Sequence, residues 1–309
     1  VAQRTLVIAN PRSRNGATGR RWRDLERRIR DALGPFEAES TRCPRDAERL
    51  AREGARAGVE RMLVAGGDGT LSEVVTGLVS AGLADRVSVG VLPLGTGGDF
   101  RRTLGLPRDL DGALARIASG RERMVDAGRA RFADAAGASR EACFVNVASF
   151  GISALVDEIV NRTTKALGGT ASFLIGAVRA ILAYECGDVR LRVDGALVHE
   201  GPIVLATAAN GRYFGGGMQV APQARPDDGL LDVVVLSQLP KLALLARLPL
   251  VYRGAHLRDP AVRIHRGRVV AAEAAPGRVG LELDGEPLGC LPATFELLPG
   301  ALRLLGATA

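Results

Sequence analysis

The stretch that most restricts the fold is Gly66-Gly67-Asp68-Gly69-Thr70. The apolar run before it, Arg61-Met62-Leu63-Val64-Ala65, reads as a short buried strand, and residues 71–79 follow with apolar positions at helical spacing. The glycines therefore stand where a strand stops and a helix begins. Three glycines in four positions remove the Cβ atoms that keep a backbone away from a ligand. The N–H groups at the helix start, with the dipole behind them, form a site for phosphate. Asp68 places a carboxylate inside that anion site. Alone it would repel a phosphate, so it is expected to hold a cation or to orient the loop. The plainer alternative is a tight strand-to-helix turn of any α/β protein.

A second passage of the same kind lies downstream. Residues 87–92 read as a strand and run into Pro93-Leu94-Gly95-Thr96-Gly97-Gly98-Asp99-Phe100. Upstream, residues 6–9 form an apolar strand ending at Asn10-Pro11. The loop Arg12-Ser13-Arg14-Asn15-Gly16 follows, either facing phosphates or serving as an exposed connection. Trp22, Leu25 and Ile29 mark a helix that ends near Gly34, and residues 36–40 a second strand closed by Thr41. Pro44 is placed at the first turn of a helix carrying Ala47, Leu50, Ala51 and Ala55. Leu110, Leu114 and Ile117 mark a further helix. Strands alternating with helices predict a parallel sheet whose carboxyl edge collects both glycine loops.

From Met124 onward helices thin out and short strands multiply, at 121–125, 143–148, 189–193, 203–208, 231–236, 262–264, 268–270 and 279–283, with a helical insertion at 163–184. Asn146, Ser149, Phe150 and Gly151 form one block that begins on a strand and turns into a helix. Asp227-Asp228-Gly229-Leu230 is an acidic turn. In Leu281-Glu282-Leu283-Asp284-Gly285-Glu286, alternation points the leucines inward and delivers Asp284 to a strand end. Two carboxylates there can divide work, one taking a proton and the other orienting it. The alternative is an ordinary Asp-Gly hairpin turn.

These blocks, in this order from Leu6 to Arg303, resemble the diacylglycerol kinase catalytic domain family, which includes bacterial lipid kinases and the sphingosine kinases. The tail Phe295-Glu296-Leu297-Leu298-Pro299-Gly300-Ala301-Leu302-Arg303 is most similar to the bacterial YegS-like group. The resemblance implies an α/β N-terminal Rossmann-like (NAD kinase-like) domain at 1–124, an all-β sandwich-like C-terminal domain at 125–291, an active site in the interdomain cleft, and a tail at 292–309 that returns to the first domain. It implies an ATP-dependent lipid kinase that phosphorylates the hydroxyl of a lipid alcohol such as diacylglycerol, using an Asp general base and Mg2+.

Carried over by position, the resemblance assigns the nucleotide to Asn10, Thr41, Gly66, Gly67, Asp68, Gly69, Thr70, Leu71, Ser72, Glu73, Gly95 and Thr96. Asp284 is the base and Glu286 its neighbour, Asp68 manages metal charge, and Asp99 joins the polar network near the acceptor hydroxyl. A structural Mg2+ would take the Asp228 carboxylate and the Arg225 and Leu230 carbonyls; a metal-free Asp-Gly turn is the alternative. Family members carry asparagine where this chain has Gly98. An NAD kinase-like small-molecule kinase and a non-catalytic nucleotide- or lipid-binding module stay open as other readings.

Composition narrows the partners. A chain of 309 residues can bury two cores, and a net charge of +7 favours an anionic partner. Arginines are scattered, aromatics are few and no nucleic-acid motif is present, which argues against nucleic acid. Cys43, Cys143, Cys186 and Cys290 lack metal spacing and read as reduced, mostly buried thiols of a cytoplasmic protein. Residues 1–10 read as strand and not as a leader. Residues 173–183 are apolar but include Arg179 and are too short to span a bilayer. Residues 239–250, apolar with Lys241 and Arg247, read either as a basic amphipathic helix in peripheral contact with an anionic membrane surface, at the inner face of the cell membrane, or as a core-packing helix with solvated charges. A homodimer is compatible with this reading.

Overall fold

The computed structural model describes residues 3–134, 136–162 and 169–307. The chain divides into two compact units, Val1–Ala127 with Pro299–Ala309, and Gly128–Leu298.

The first unit holds strands β1 (Thr5–Ala9), β2 (Glu37–Ser40), β3 (Arg61–Gly66) and β4 (Ser88–Pro93) and helices α1 (Ala17–Arg20), α2 (Trp22–Leu33), α3 (Asp46–Arg56), α4 (Asp68–Ser80), α5 (Asp99–Thr103) and α6 (Leu110–Ala118). Strands run parallel in the order β2-β1-β3-β4, and Arg303 and Leu304 of the tail add a fifth parallel strand beside Ser88 and Val89. Burial on both faces explains why β1 and β3 are almost wholly apolar. Val7, Leu63 and Leu92 pack with Leu25 and Ile29 of α2 and Leu114 and Ile117 of α6. Each such side chain removed from water contributes roughly 1.5–3 kcal/mol. The connections after β1, β3 and β4 leave the same carboxyl edge, where sheets of this kind bind ligands.

The second unit holds most of β5 (Glu122–Ala133), then β6 (Ser139–Phe144), β7 (Val147–Gly151), α7 (Ile152–Arg162), α8 (Gly169–Ala183), β8 (Gly187–Val193), β9 (Ala196–Ala209), β10 (Leu231–Ser237), α9 (Lys241–Val251), β11 (Val262–Gly267), β12 (Val269–Glu273), β13 (Gly280–Leu283) and the first part of β14 (Glu286–Leu305). One run of strands is ordered β11-β10-β9-β7-β13; β8, β12, β14, β5 and β6 form the other, with β9 long enough to serve both. Their apolar faces meet in one core, where the Phe150 ring stacks on Phe295 at 5.8 Å and Phe144 meets Phe295 edge-on at 6.4 Å. Helices α7 and α8, with the inward leucines of α9, cover Val204 on the outer side of β9.

Several local expectations need correction. The strand expected over 143–148 is broken at Val145-Asn146 into β6 and β7, because those amides turn to a side chain described below. The strand expected at 121–125 is only the start of a 12-residue strand. Of the insertion at 163–184, residues 163–168 lie outside the described residues, α8 fills most of the rest, and α7 precedes it. Pro44 lies ahead of α3, which begins at Asp46 with Arg45 as its N-cap. Of the four free cysteines only Cys143 is buried, and Cys43 is exposed.

Candidate active site

On the first unit, α4 begins at Asp68 with Gly67, which has no side chain to cap it, as an extended N-cap. Its leading N–H groups are therefore those a phosphate would meet. Gly69 and Thr70 fall in the first turn. The second loop packs main chain on main chain against the first: a Cβ on Gly95 would sit 2.4 Å from Gly67 Cα and 3.0 Å from the Gly66 carbonyl oxygen. Thr96 and Gly97 beyond it are exposed. Asp68 orients the pair of loops. Its Oδ2 accepts from the amides of Asp99 at 2.7 Å and Phe100 at 3.4 Å, so its charge lies at the start of α5. Asp99 is buried and takes Arg102 on Oδ1 at 2.8 Å. Gly98 has φ 73° as the N-cap of α5, a left-handed position that glycine and asparagine both adopt without large cost. The departure from the family asparagine is thus neutral for the backbone.

Asn10 ties the first loop to the glycines. Its Nδ2 donates to Thr70 Oγ1 at 3.2 Å and its Oδ1 accepts from the Arg12 amide at 3.0 Å. Thr41 ends β2, its amide on the Ala9 carbonyl at 2.8 Å. Three other expected ligands are turned elsewhere. Leu71 is buried in the core. The Ser72 hydroxyl donates back to the Asp68 carbonyl. Glu73 accepts from the amides of Arg45 and Ala47 at the start of α3, and burial pushes its carboxyl above the usual range. They support the loop from behind.

On the second unit, Asp284 and Gly285 form the two-residue turn between β13 and β14, with φ 50° and 86°. Both values are positive, the requirement of a hairpin turn of type I′. The Asp284 carboxylate reaches across to the β6–β7 break. Oδ2 accepts from the Val145 amide at 2.8 Å, and Oδ1 from those of Asn146 at 3.0 Å and Val147 at 2.8 Å. A carboxylate offers about four acceptor positions, so this bracket uses most of them. Glu286, two residues on, is exposed. Beside the bracket, buried Asn146 donates to the Tyr213 carbonyl at 2.7 Å, and its Oδ1 has no hydrogen-bond partner among the described residues.

Sequence reasoning missed Glu282. It is 2% exposed, accepts from the Gly285 amide at 2.7 Å and shares a hydrogen bond with the Ser149 hydroxyl, which is itself hydrogen-bonded to that of Ser153 at 2.7 Å. Burial, and then the charge of Asp157, push its carboxyl well above the usual range. Strict alternation along the strand points Glu282 away from the leucines, the signal that was available. Glu282 holds the turn that presents Asp284.

At the acidic turn, where the resemblance implies a metal, the carboxylate is already engaged. Asp228 Oδ1 accepts from the Leu230 amide at 3.1 Å and Oδ2 is paired with the Arg266 guanidinium. Arg266 stands directly opposite Asp232 in the β10–β11 ladder and also meets its carboxylate at 3.4 Å. A guanidinium already neutralises the oxygen a divalent ion would need, so the set as folded does not fit Mg2+. Among the described residues no group of three or more His, Cys, Asp or Glu could hold a metal ion.

A parallel α/β unit with two glycine loops on its carboxyl edge, followed by a β-rich unit, is the two-domain NAD kinase-like plan, and comparison with known proteins agrees. Residues 4–130 match the diacylglycerol kinase catalytic domain, and residues 146–306 match the YegS C-terminal NAD kinase beta sandwich-like domain. The chain belongs to the YegS-like, diacylglycerol kinase-like family of lipid kinases, and it is a kinase of that family. It is 33% identical over 261 residues to a Salmonella paratyphi A protein named "Probable lipid kinase YegS", covering 84% of this chain and 82% of that one. It is 31% identical over 302 residues to a "Probable lipid kinase YegS-like" of Citrobacter koseri, covering 97% and 94%. A crystal structure of a diacylglycerol kinase from Bacillus anthracis superposes with TM-score 0.75 at 25% identity, over 98% of this chain and 96% of that one. Yeast NADH kinase in complex with NADH shares the fold alone, with TM-score 0.56 at 10% identity over 100% of this chain and 84% of that one. Among the described residues no helix is long and apolar enough to cross a membrane.

Proposed function

We propose that this kinase transfers the γ-phosphoryl group of ATP to the hydroxyl of a lipid alcohol such as diacylglycerol, at the inner face of the cell membrane. The observation that carries the reading is the main-chain packing of Gly95 on Gly66-Gly67, with Asp68 locking the second loop through the Asp99 amide. This gives a triphosphate a rigid surface of backbone donors, and phosphoryl transfer asks mainly for positioning and charge neutralisation. Mg2+ enters as the companion of ATP; no step is assigned to the Asp228 turn. Asp284 is the proposed base. Its bracket of amides fixes the carboxylate, and an acceptor hydroxyl docking there gives its proton to that carboxylate as its oxygen bonds to the γ-phosphorus and the bond from that phosphorus to the bridging oxygen of the departing ADP breaks. A fixed carboxylate costs no reorganisation at that moment.

The test is incubation of the purified chain with labelled ATP and Mg2+ against a panel of micellar lipid alcohols, with NAD as a separate acceptor. Label on a lipid alcohol is expected. Label on NAD alone overturns the proposal.

A further inference from the structure

The outward stripe of α9 is made of Leu242, Ala246, Pro249 and Leu250, and Arg253 continues it beyond the helix end. Leu242 is 81% exposed, although the inward leucines of the same helix, Leu244, Leu245 and Leu248, already pack on α7 and α8. A surface helix ordinarily turns its polar side to water, so an apolar outer stripe marks a contact surface. Helix α8 repeats the pattern, with Ile175, Arg179 and Leu182 at i, i+4 and i+7 on its exposed side and Leu174 beside them. Ten large hydrophobic side chains stand exposed among the described residues, and five of them lie on these two helices. The helices meet where Lys241 Nζ donates to the Leu182 carbonyl at 2.5 Å, so the start of α9 lies by the end of α8.

The charge carried by the two helices themselves has one sign, with exposed Glu185 beside Lys241 at their junction. Neither helix contains an acidic residue; their charges are Arg179, Lys241 and Arg247. Asp259 is taken up by Arg247, and Glu185 follows the end of α8. A second copy of the chain would bring like charge against like charge. Exposed leucines rimmed by basic side chains complement a surface that is apolar within and anionic at its boundary.

We propose that the outer faces of α8 and α9 form the surface by which this protein rests on an anionic lipid bilayer. The inference deepens the lipid-kinase reading by naming the surface, but its test does not depend on turnover. The full chain and its Leu182→Glu/Leu242→Glu variant are sedimented with phosphatidylglycerol-containing vesicles and with phosphatidylcholine vesicles. The parent is expected to bind the anionic vesicles, less so at high salt, and the variant at least about tenfold more weakly. Both side chains are exposed, so the variant keeps its melting temperature within about 2 °C. It also keeps turnover of a water-dispersed short-chain acceptor. Equal binding of variant and parent overturns the proposal, as does equal binding of the parent to both vesicle types. So does a parent dimer that the variant dissociates while vesicle binding is unchanged. Failure of the short-chain assay with the parent would count against the kinase reading and leave the docking surface standing.

Discussion

Replacing Asp284 by asparagine separates its proposed role as base from its structural role, which an activity assay merges. Both removal of a base and loosening of its bracket abolish turnover, so the informative quantity is stability. Asparagine adopts the positive φ of this turn about as readily as aspartate, and the backbone term cancels. The amide oxygen can keep the Asn146 and Val147 donors that Oδ1 now holds. The new NH2 then faces the amide of Val145, a buried residue, donor against donor. An unsatisfied buried donor costs about 1–3 kcal/mol, and weakening two charge-assisted bonds brings the total to roughly 2–5 kcal/mol. For a cooperative unit of this size the melting temperature moves about 2–4 °C per kcal/mol, so Asp284→Asn should melt roughly 5–15 °C lower in calorimetry. A variant that melts within about 1 °C of the parent would refute the bracket as a structural element.

Three further outcomes follow from the geometry. Gly95→Ala drives a methyl into the Gly67 main chain, so the loops must part; calorimetric titration with a non-hydrolysable ATP analogue should show at least about tenfold weaker binding. Glu282 has its folded pKa raised above its ordinary 4.5 by burial and then by Asp157, so the folded state retains the proton and stability falls as pH rises above about 4.5. In Glu282→Gln the amide NH2 can donate to the Ser149 oxygen and the amide oxygen accept from Gly285, and melts across pH should show a flatter decline with a higher melting temperature at alkaline pH. With Arg266 supplying the positive charge at the acidic turn, melting of the parent should ignore both EDTA and added Mg2+, whereas Arg266→Gln should melt lower and be raised again by Mg2+. A parent that loses stability in EDTA alone would contradict this assignment.

The sheet of the first unit was legible because its signals are local: buried runs such as Met62 to Ala65, punctuated by glycines, fix strands and loops without reference to distant residues. That the two loops share an edge followed from topology alone. That they touch at Gly95 and Gly67 did not, because a close approach between segments about thirty residues apart leaves no mark beyond the glycines themselves. Asp68 was read as holding a cation or orienting its loop; its hydrogen bond to the Asp99 amide, invisible in sequence, shows the second role and leaves the first untested. The Asp284 bracket lay beyond sequence reasoning. The residues it joins are separated by more than a hundred positions, and the apolar run at 143–148 shows no sign of the break the carboxylate imposes. Arg266 was missed for the same reason, since its place opposite Asp232 is a matter of strand register.

The last strand, β14, leaves the second unit at Leu298 and ends as the fifth strand of the first. The unit that holds both glycine loops is therefore completed only after the whole of the second unit has been made. Until residues 299–305 emerge from the ribosome, β4 has an open edge, ready to pair with another nascent chain. A frameshift or protease cut within residues 299–305 would remove no candidate ligand, yet it would strike the unit of the glycine loops before the β-rich one.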